Sequence, residues 1–132
     1  MLECLIMGDS IAVGTSRARP ECVAYVQGGI NSYQWVNKFT KDSPYVANTV
    51  IISLGSNDHK HVKTELELRT IRELTKANYV YWILPANKKD VANAVFAVAN
   101  HYHDRVVRIA DLSTDGVHPT AKGYKMIAGQ TK

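Results

Sequence analysis

Long hydrophobic runs are missing from this 132-residue chain, and none approaches the roughly 20 apolar residues needed to span a bilayer. The start, Met1-Leu2-Glu3-Cys4, lacks the positive stretch of a secretory leader and carries an acid at position 3. As written, the chain is therefore expected to be cytoplasmic, with no membrane partner. Cysteine is scarce: Cys4 and Cys22 are the two present, and neither has zinc-finger spacing. Their spacing allows a disulfide, but the expectation for a cytosolic chain is two small buried thiols. Basic runs are absent as well. The net charge of +4 permits a polyanionic partner without pointing to nucleic acid, and none is expected. Repeats, low-complexity stretches and linkers are lacking too, which together with the length predicts one domain over residues 1–132.

What is present is an ordinary globular balance, 45% hydrophobic and 21% charged, arranged in a regular alternation. Apolar runs occur at Leu2 to Met7, Cys22 to Val26, Thr49 to Leu54, Tyr79 to Leu84 and, more weakly, Val106 to Ile109. Continuous rather than alternating hydrophobicity marks strands covered on both faces, as in a parallel sheet. Helical patterns lie between them. Thr64-Glu65-Leu66-Glu67 reads as a capping box before Leu68, Ile71 and Leu74, while Val91, Val95, Val98 and Tyr102 share one helix face. A third helix is predicted from Ser32 to Lys41, and a short one follows Pro119. The fold class is α/β, with five parallel strands and helices on both faces.

In open parallel sheets ligands bind beyond the carboxyl ends of the strands. Those positions hold Gly8-Asp9-Ser10, Gly28-Gly29-Ile30-Asn31-Ser32, Gly55-Ser56-Asn57-Asp58, Pro85-Ala86-Asn87, and Asp111 with Asp115-Gly116-Val117-His118-Pro119. A serine hydroxyl needs a base to become a nucleophile, and His118 is the candidate for Ser10. Asp115, three residues earlier, is placed to hold the imidazole in the required tautomer. An oxyanion would need donors: the Ser10 N–H, a glycine N–H and the Asn57 amide are available. Each piece also has a simpler reading. Ser10 can be a helix N-cap, Gly28-Gly29 a turn, Asn57-Asp58 an Asx turn, and Asp115-Gly116 a turn before a helix. Those readings do not explain why all of them fall on one edge. Competing motifs fail: "GDSIAVGT" has no P-loop lysine, and Ser10 lacks the second glycine of Gly-x-Ser-x-Gly.

The blocks "GDSIAVG", "GGINS", "GSND" and "DGVHPTAKGY", in this order and across nearly the whole chain, resemble those of the SGNH (GDSL-like) hydrolase superfamily. The resemblance implies a flavodoxin-like sheet of order 2-1-3-4-5 with helices on both faces, and hydrolysis of esters or thioesters. It implies Ser10 as nucleophile, Asp115 and His118 as the rest of a triad, and an oxyanion hole of Ser10, Gly29 and Asn57. Gly29 is placed by analogy with Gly-x-x-Ser forms, with Gly28 as the fallback. The chain is shorter than most members, so a shallow site is expected.

The function that follows is a serine esterase with no cofactor and no metal, with an O-acetyl group on a carbohydrate as the favoured substrate. Two alternatives stay open: a catalytically silent module binding glycan or protein, and a lipase or thioesterase acting on small acyl groups. Lysines follow the third and fourth runs (Lys60, Lys63, Lys88, Lys89) and His118 (Lys122), so the substrate can be anionic if they form a rim. Solubility alone would also account for them. His59 and His61 read as a solvated loop, and Trp35 as a core anchor rather than a sugar-stacking platform.

Overall fold

The computed structural model describes residues 1–132. In chain order the elements are β1 (Leu2–Gly8), α1 (Ser10–Ala18), β2 (Val23–Val26), α2 (Ser32–Phe39) with a 3-10 turn (Thr40–Asp42), and β3 (Tyr45–Ser53). Then come α3 (Thr64–Glu73), β4 (Thr75–Ile83), α4 (Lys89–His101), β5 (Arg105–Val107) and α5 (Ala121–Gln130). All five strands pair in parallel, in the order β2-β1-β3-β4-β5. The α/β fold and the strand order 2-1-3-4-5 are as expected.

The unbroken apolar runs have a simple cause. Alternate residues of each central strand feed opposite layers. Leu5, Met7, Val50, Ile52, Val80 and Trp82 pack with Trp35 of α2, Leu68 and Ile71 of α3, and Val95 and Val98 of α4. Ile6, Ile51, Tyr81 and Ile83 pack with Ile11 and Ala12 of α1 and Ile127 of α5. Trp35 is fully buried and donates its indole N–H to the Tyr25 carbonyl at 3.0 Å, so it is a core anchor. On the second face α1 meets α5 closely: a Cβ at Gly14 would lie 2.2 Å from the Tyr124 ring.

Three local expectations are corrected. The long central strands begin earlier than their apolar runs, at Tyr45 and Thr75, because exposed Val46 and Lys76 belong to the open amino end of the sheet. The capping box at Thr64 does not form: Lys63 is the N-cap, without a side-chain hydrogen bond. The Thr64 hydroxyl instead donates to Asp58 Oδ2 at 2.7 Å, a tertiary partner that competes for the same hydroxyl. Finally, Cys4 and Cys22 are not thiols but form a disulfide. Because β1 and β2 are adjacent, Cys22, just before β2, lies 4.8 Å from Cys4 between Cα atoms, within bonding range.

This cross-link ties the start of the edge strand β2 to its neighbour β1 across a separation of 18 residues. A loop of that length is stabilised by about 3 kcal/mol through the unfolded chain. The unreduced protein, denatured, should therefore show no free thiol. Cys4→Ser/Cys22→Ser should unfold at lower denaturant with the fold retained. Two titratable thiols in the untreated protein would contradict the cross-link.

Candidate active site

The site begins where β1 ends. Gly8 has φ +144, and a Cβ there would fall 1.8 Å from the Ser53 carbonyl oxygen of β3. Only glycine fits this close crossing. The next N–H, that of Asp9, donates to the same Ser53 carbonyl at 3.0 Å, so the chain leaves the sheet in one fixed direction. Asp9, not Ser10, is the N-cap of α1: its Oδ1 accepts from the Ile11 N–H at 3.0 Å and from the Ser53 hydroxyl at 3.3 Å. Ser10 is thus the first helical residue, with its hydroxyl free for another partner. Its own N–H, like every first-turn amide, has no helical acceptor.

That partner is His118, whose Nε2 lies 2.7 Å from Ser10 Oγ although 108 residues separate them. His118 Nδ1 is in turn 2.7 Å from Asp115 Oδ2. The loop that carries both is closed on itself. Leu112 and Pro119 form an antiparallel bridge, the Ser113 N–H donates to the His118 carbonyl at 2.8 Å, and the Thr120 N–H donates to the Asp111 carbonyl at 3.0 Å. Thr120 Oγ1 also donates to the Asp111 carboxylate, and Thr120 caps α5.

Asp115 makes further contacts besides the one to the His118 ring. Its Oδ1 accepts from the Ser113 hydroxyl at 2.8 Å, the Val117 N–H at 2.8 Å and the His118 N–H at 2.9 Å. The His118 ring and these donors hold its carboxyl well below the usual carboxylate range. Asp115 therefore stays ionised beside the imidazole. Both side chains are open to water, His118 at 40% and Asp115 at 49% exposure, so the site is shallow.

On the other side, Asn57 Nδ2 donates to the Ile30 carbonyl at 3.0 Å and binds the loop after β3 to the loop after β2. An amide carries two N–H donors, so one remains. The Gly28 and Gly29 N–H groups make no hydrogen bond within the protein. Of the two, Gly28 borders the serine: a Cβ on it would lie 3.9 Å from Ser10 Cβ, whereas Gly29, at φ +77, has nothing within 4 Å. Asp58 forms no Asx cap; its buried carboxylate accepts from the Ser32 N–H at 2.8 Å and from Thr64. The structure thus brings Ser10, His118 and Asp115 into one hydrogen-bonded chain, with Gly28 at its side. His59 and His61 lie apart on an exposed loop, the His61 N–H donating to His59 Nδ1.

Asp9 and Ser53 were not legible as site residues, although an Asp at the start of a helix is a recognisable cap. Asp9 is fully buried, and its Oδ2 has no partner. Burial pushes its carboxyl up to about 6, against smaller opposing contributions from the Ile11 and Ala12 N–H groups and the Ser53 hydroxyl.

No protein-family model matches the chain, and no curated protein matches its sequence. Solved structures do match it. A candidate acylhydrolase of Bacteroides fragilis superposes with a TM-score of 0.72 at 19% identity, covering 97% of this chain and 83% of that one. The C-terminal catalytic domain of a Streptococcus pneumoniae peptidoglycan O-acetyltransferase, carrying a methylsulfonyl adduct, gives 0.61 at 16%, over 96% and 88%. An acetyl xylan esterase of Butyrivibrio proteoclasticus gives 0.58 at 11%, over 97% and 61%. The chain shares the three-layer α/β fold of these solved structures, a candidate GDSL-like lipase of Bacteroides ovatus among them.

The raised Asp9 carboxyl has a consequence for stability. Above pH 6 the folded protein holds a buried charge, which costs stability; the cost is relieved as pH falls from about 6 towards the ordinary 3.8, where only the folded state has taken up the proton. Relative to Asp9→Asn, the parent should lose roughly 2–3 kcal/mol of unfolding free energy between about pH 4 and pH 7.5. Denaturant titrations of both proteins across this range check it. A difference independent of pH would mean that Asp9 is solvated.

Proposed function

We propose that the protein is a serine ester hydrolase that removes small acyl groups, O-acetyl above all, from a carbohydrate. The observation that carries this reading is the chain Ser10 Oγ to His118 Nε2 and His118 Nδ1 to Asp115 Oδ2, each 2.7 Å. In a neutral His118 with the proton on Nδ1, donated to Asp115, Nε2 is left to accept the Ser10 proton. Ser10 Oγ then attacks the ester carbonyl carbon, and the C=O electrons move onto oxygen. The resulting oxyanion faces donors that need not reorganise: the Ser10 N–H, the remaining Asn57 N–H and an amide of the Gly28-Gly29 segment, where Gly28 is nearer the serine. Collapse breaks the bond to the leaving oxygen, which takes the proton from His118 Nε2. Water, deprotonated by the same nitrogen, releases the acid and restores Ser10.

The acyl preference rests on shape. With His118 and Asp115 open to water at 40% and 49%, the triad offers little buried area for a fatty chain, so acetyl suits it better. The acetyl xylan esterase and the O-acetyltransferase domain among the structural neighbours agree with acetyl chemistry on a glycan. No helix is long and apolar enough to cross a membrane. The Cys4–Cys22 bridge favours work in an oxidising compartment over the cytoplasm, because reducing cytosols keep such pairs as thiols. A silent binding module would not need a base 2.7 Å from a serine hydroxyl, so catalysis is the stronger reading.

Ser10→Ala should fold as the parent does and lose hydrolysis of p-nitrophenyl acetate, and a sulfonyl fluoride should label Ser10 in the parent only. Undiminished turnover in the folded variant would remove Ser10 from the mechanism. Asn57→Ala should lower kcat by roughly 10²–10³ with a smaller change in KM, since its donor serves charge that appears only in the transition state. An effect confined to KM would make Asn57 a ground-state contact.

A further inference from the structure

A concavity that Ser10, Asp115 and His118 do not line opens at the same edge of the sheet. It is a cleft of about 650 Å³ between the loops after β3 and β4, where Lys60, Lys88 and Lys89 stand together. None of the three takes part in a salt bridge. Lys88 Nζ donates to the Asp58 carbonyl oxygen at 2.5 Å, which fixes one ammonium in the wall and leaves two of its N–H donors for another partner. Two acids share the lining, Asp58 and Asp90. The Asp58 carboxylate is 1% exposed as a residue and turned to the Ser32 N–H and the Thr64 hydroxyl, so it does not answer the lysines. Asp90 alone is left against three cations. Solubility does not require three lysines to line one concave surface, where like charges repel.

The cleft is continuous with the catalytic edge. Its Asp58 follows Asn57, whose amide bonds the Ile30 carbonyl, and the Asn87 amide beside Lys88 donates to the Ser56 carbonyl at 3.1 Å. Ser10 stands at the end of β1, and β4 is two strand spacings away, roughly 10 Å. His118 and Asp115 arrive with α5 from the α1 side of the sheet, whereas the lysine cleft lies on the α3 and α4 side. A chain-like molecule laid across the edge would therefore present its ester to Ser10 and a neighbouring unit to the lysines.

We propose that this cleft is a subsite for carboxylate groups, so that the acyl group removed at Ser10 is carried by an acidic glycan. The inference rests on the esterase reading above and adds to it the class of acyl carrier. Lys63 and Lys122, expected at the same rim, do not line the cleft, so the anionic subsite is the work of Lys60, Lys88 and Lys89. Open lysines act as point charges rather than planar forks, which suits carboxylates repeated along a flexible polymer.

The test compares kcat/KM of the parent for an O-acetylated oligogalacturonate and for its carboxyl-reduced, neutral counterpart. At about 20 mM salt the acidic glycan should be preferred by roughly tenfold or more, and the preference should shrink towards unity at about 300 mM as exposed charges are screened. Lys60→Gln/Lys89→Gln, which leaves the Lys88 brace intact, should bring the acidic glycan down to the value of the neutral one at low salt. Equal, salt-independent values for both glycans would overturn the proposal, as would a phosphorylated sugar ester preferred over the carboxylated one. Calorimetry of unacetylated oligogalacturonate with the Ser10→Ala protein separates the two readings. Binding that is lost in Lys60→Gln/Lys89→Gln upholds the subsite even if the parent cleaves no ester, and no binding at low salt overturns it even if p-nitrophenyl acetate is hydrolysed.

Discussion

The Ser53 carbonyl oxygen organises the site. It accepts the Asp9 N–H at 3.0 Å and occupies the space where any side chain at position 8 would point. Two backbones meet there so closely that β1 must end in a glycine and turn at once into α1. The next two residues inherit fixed positions: Asp9 becomes the cap and Ser10 the first helical residue. Had Ser10 itself capped α1, its hydroxyl would have been spent on a backbone N–H and withdrawn from His118. The aspartate takes over a local obligation and so frees the serine for a long-range one. Its burial without a partner for Oδ2 is the cost of that arrangement.

His118 is held by different means. The chain from Asp111 to Thr120 contains no strand or helix of its own, yet the Leu112–Pro119 bridge, the Ser113 bond to the His118 carbonyl and the two Thr120 contacts close it into a compact loop. Asp115 serves as the hub, accepting from three residues through Oδ1 while Oδ2 faces the imidazole. One carboxylate thus shapes the loop and orients the His118 ring. The loop reaches Ser10 because α5 packs beside α1, and Gly14 permits the Tyr124 ring to lie against α1.

Both sides of the sheet therefore converge on the end of β1, with different chemistry. From the α1 and α5 layer comes the His118 imidazole, 2.7 Å from the Ser10 hydroxyl. From the α2, α3 and α4 layer come neutral amides at Asn57 and Asn87 and the buried Asp58 that ties three loops, and farther along the edge stand Lys60, Lys88 and Lys89, none in a salt bridge. Asp58 links Ser32 of α2 to Thr64 of α3 and offers its carbonyl to Lys88, so one buried residue braces the walls of the cleft. The Arg72–Asp104 pair does comparable work farther from the site: Asp104 accepts from Arg72 at 2.7 and 3.1 Å and from the Trp82 indole at 2.9 Å, which ties α3, β4 and the turn before β5.

The sequence by itself determined the layered α/β fold and the set of strand-end residues, because continuous apolar runs mark doubly covered strands and a parallel sheet sends every strand's carboxyl end to one edge. Ser10, Asn57, Asp115 and His118 could be picked out on that ground before any coordinates. Tertiary structure decided what depended on partners distant in sequence. It made Asp9 rather than Ser10 the cap, gave the Thr64 hydroxyl to Asp58 instead of its own helix, and set Gly28 beside the serine. It also turned two expected thiols into a disulfide, since only the pairing of β1 with β2 brings Cys4 and Cys22 within reach. Local patterns report which face of an element will be buried. A hydrogen bond or a cross-link is a competition among partners, and its outcome is set by which of them the fold brings near.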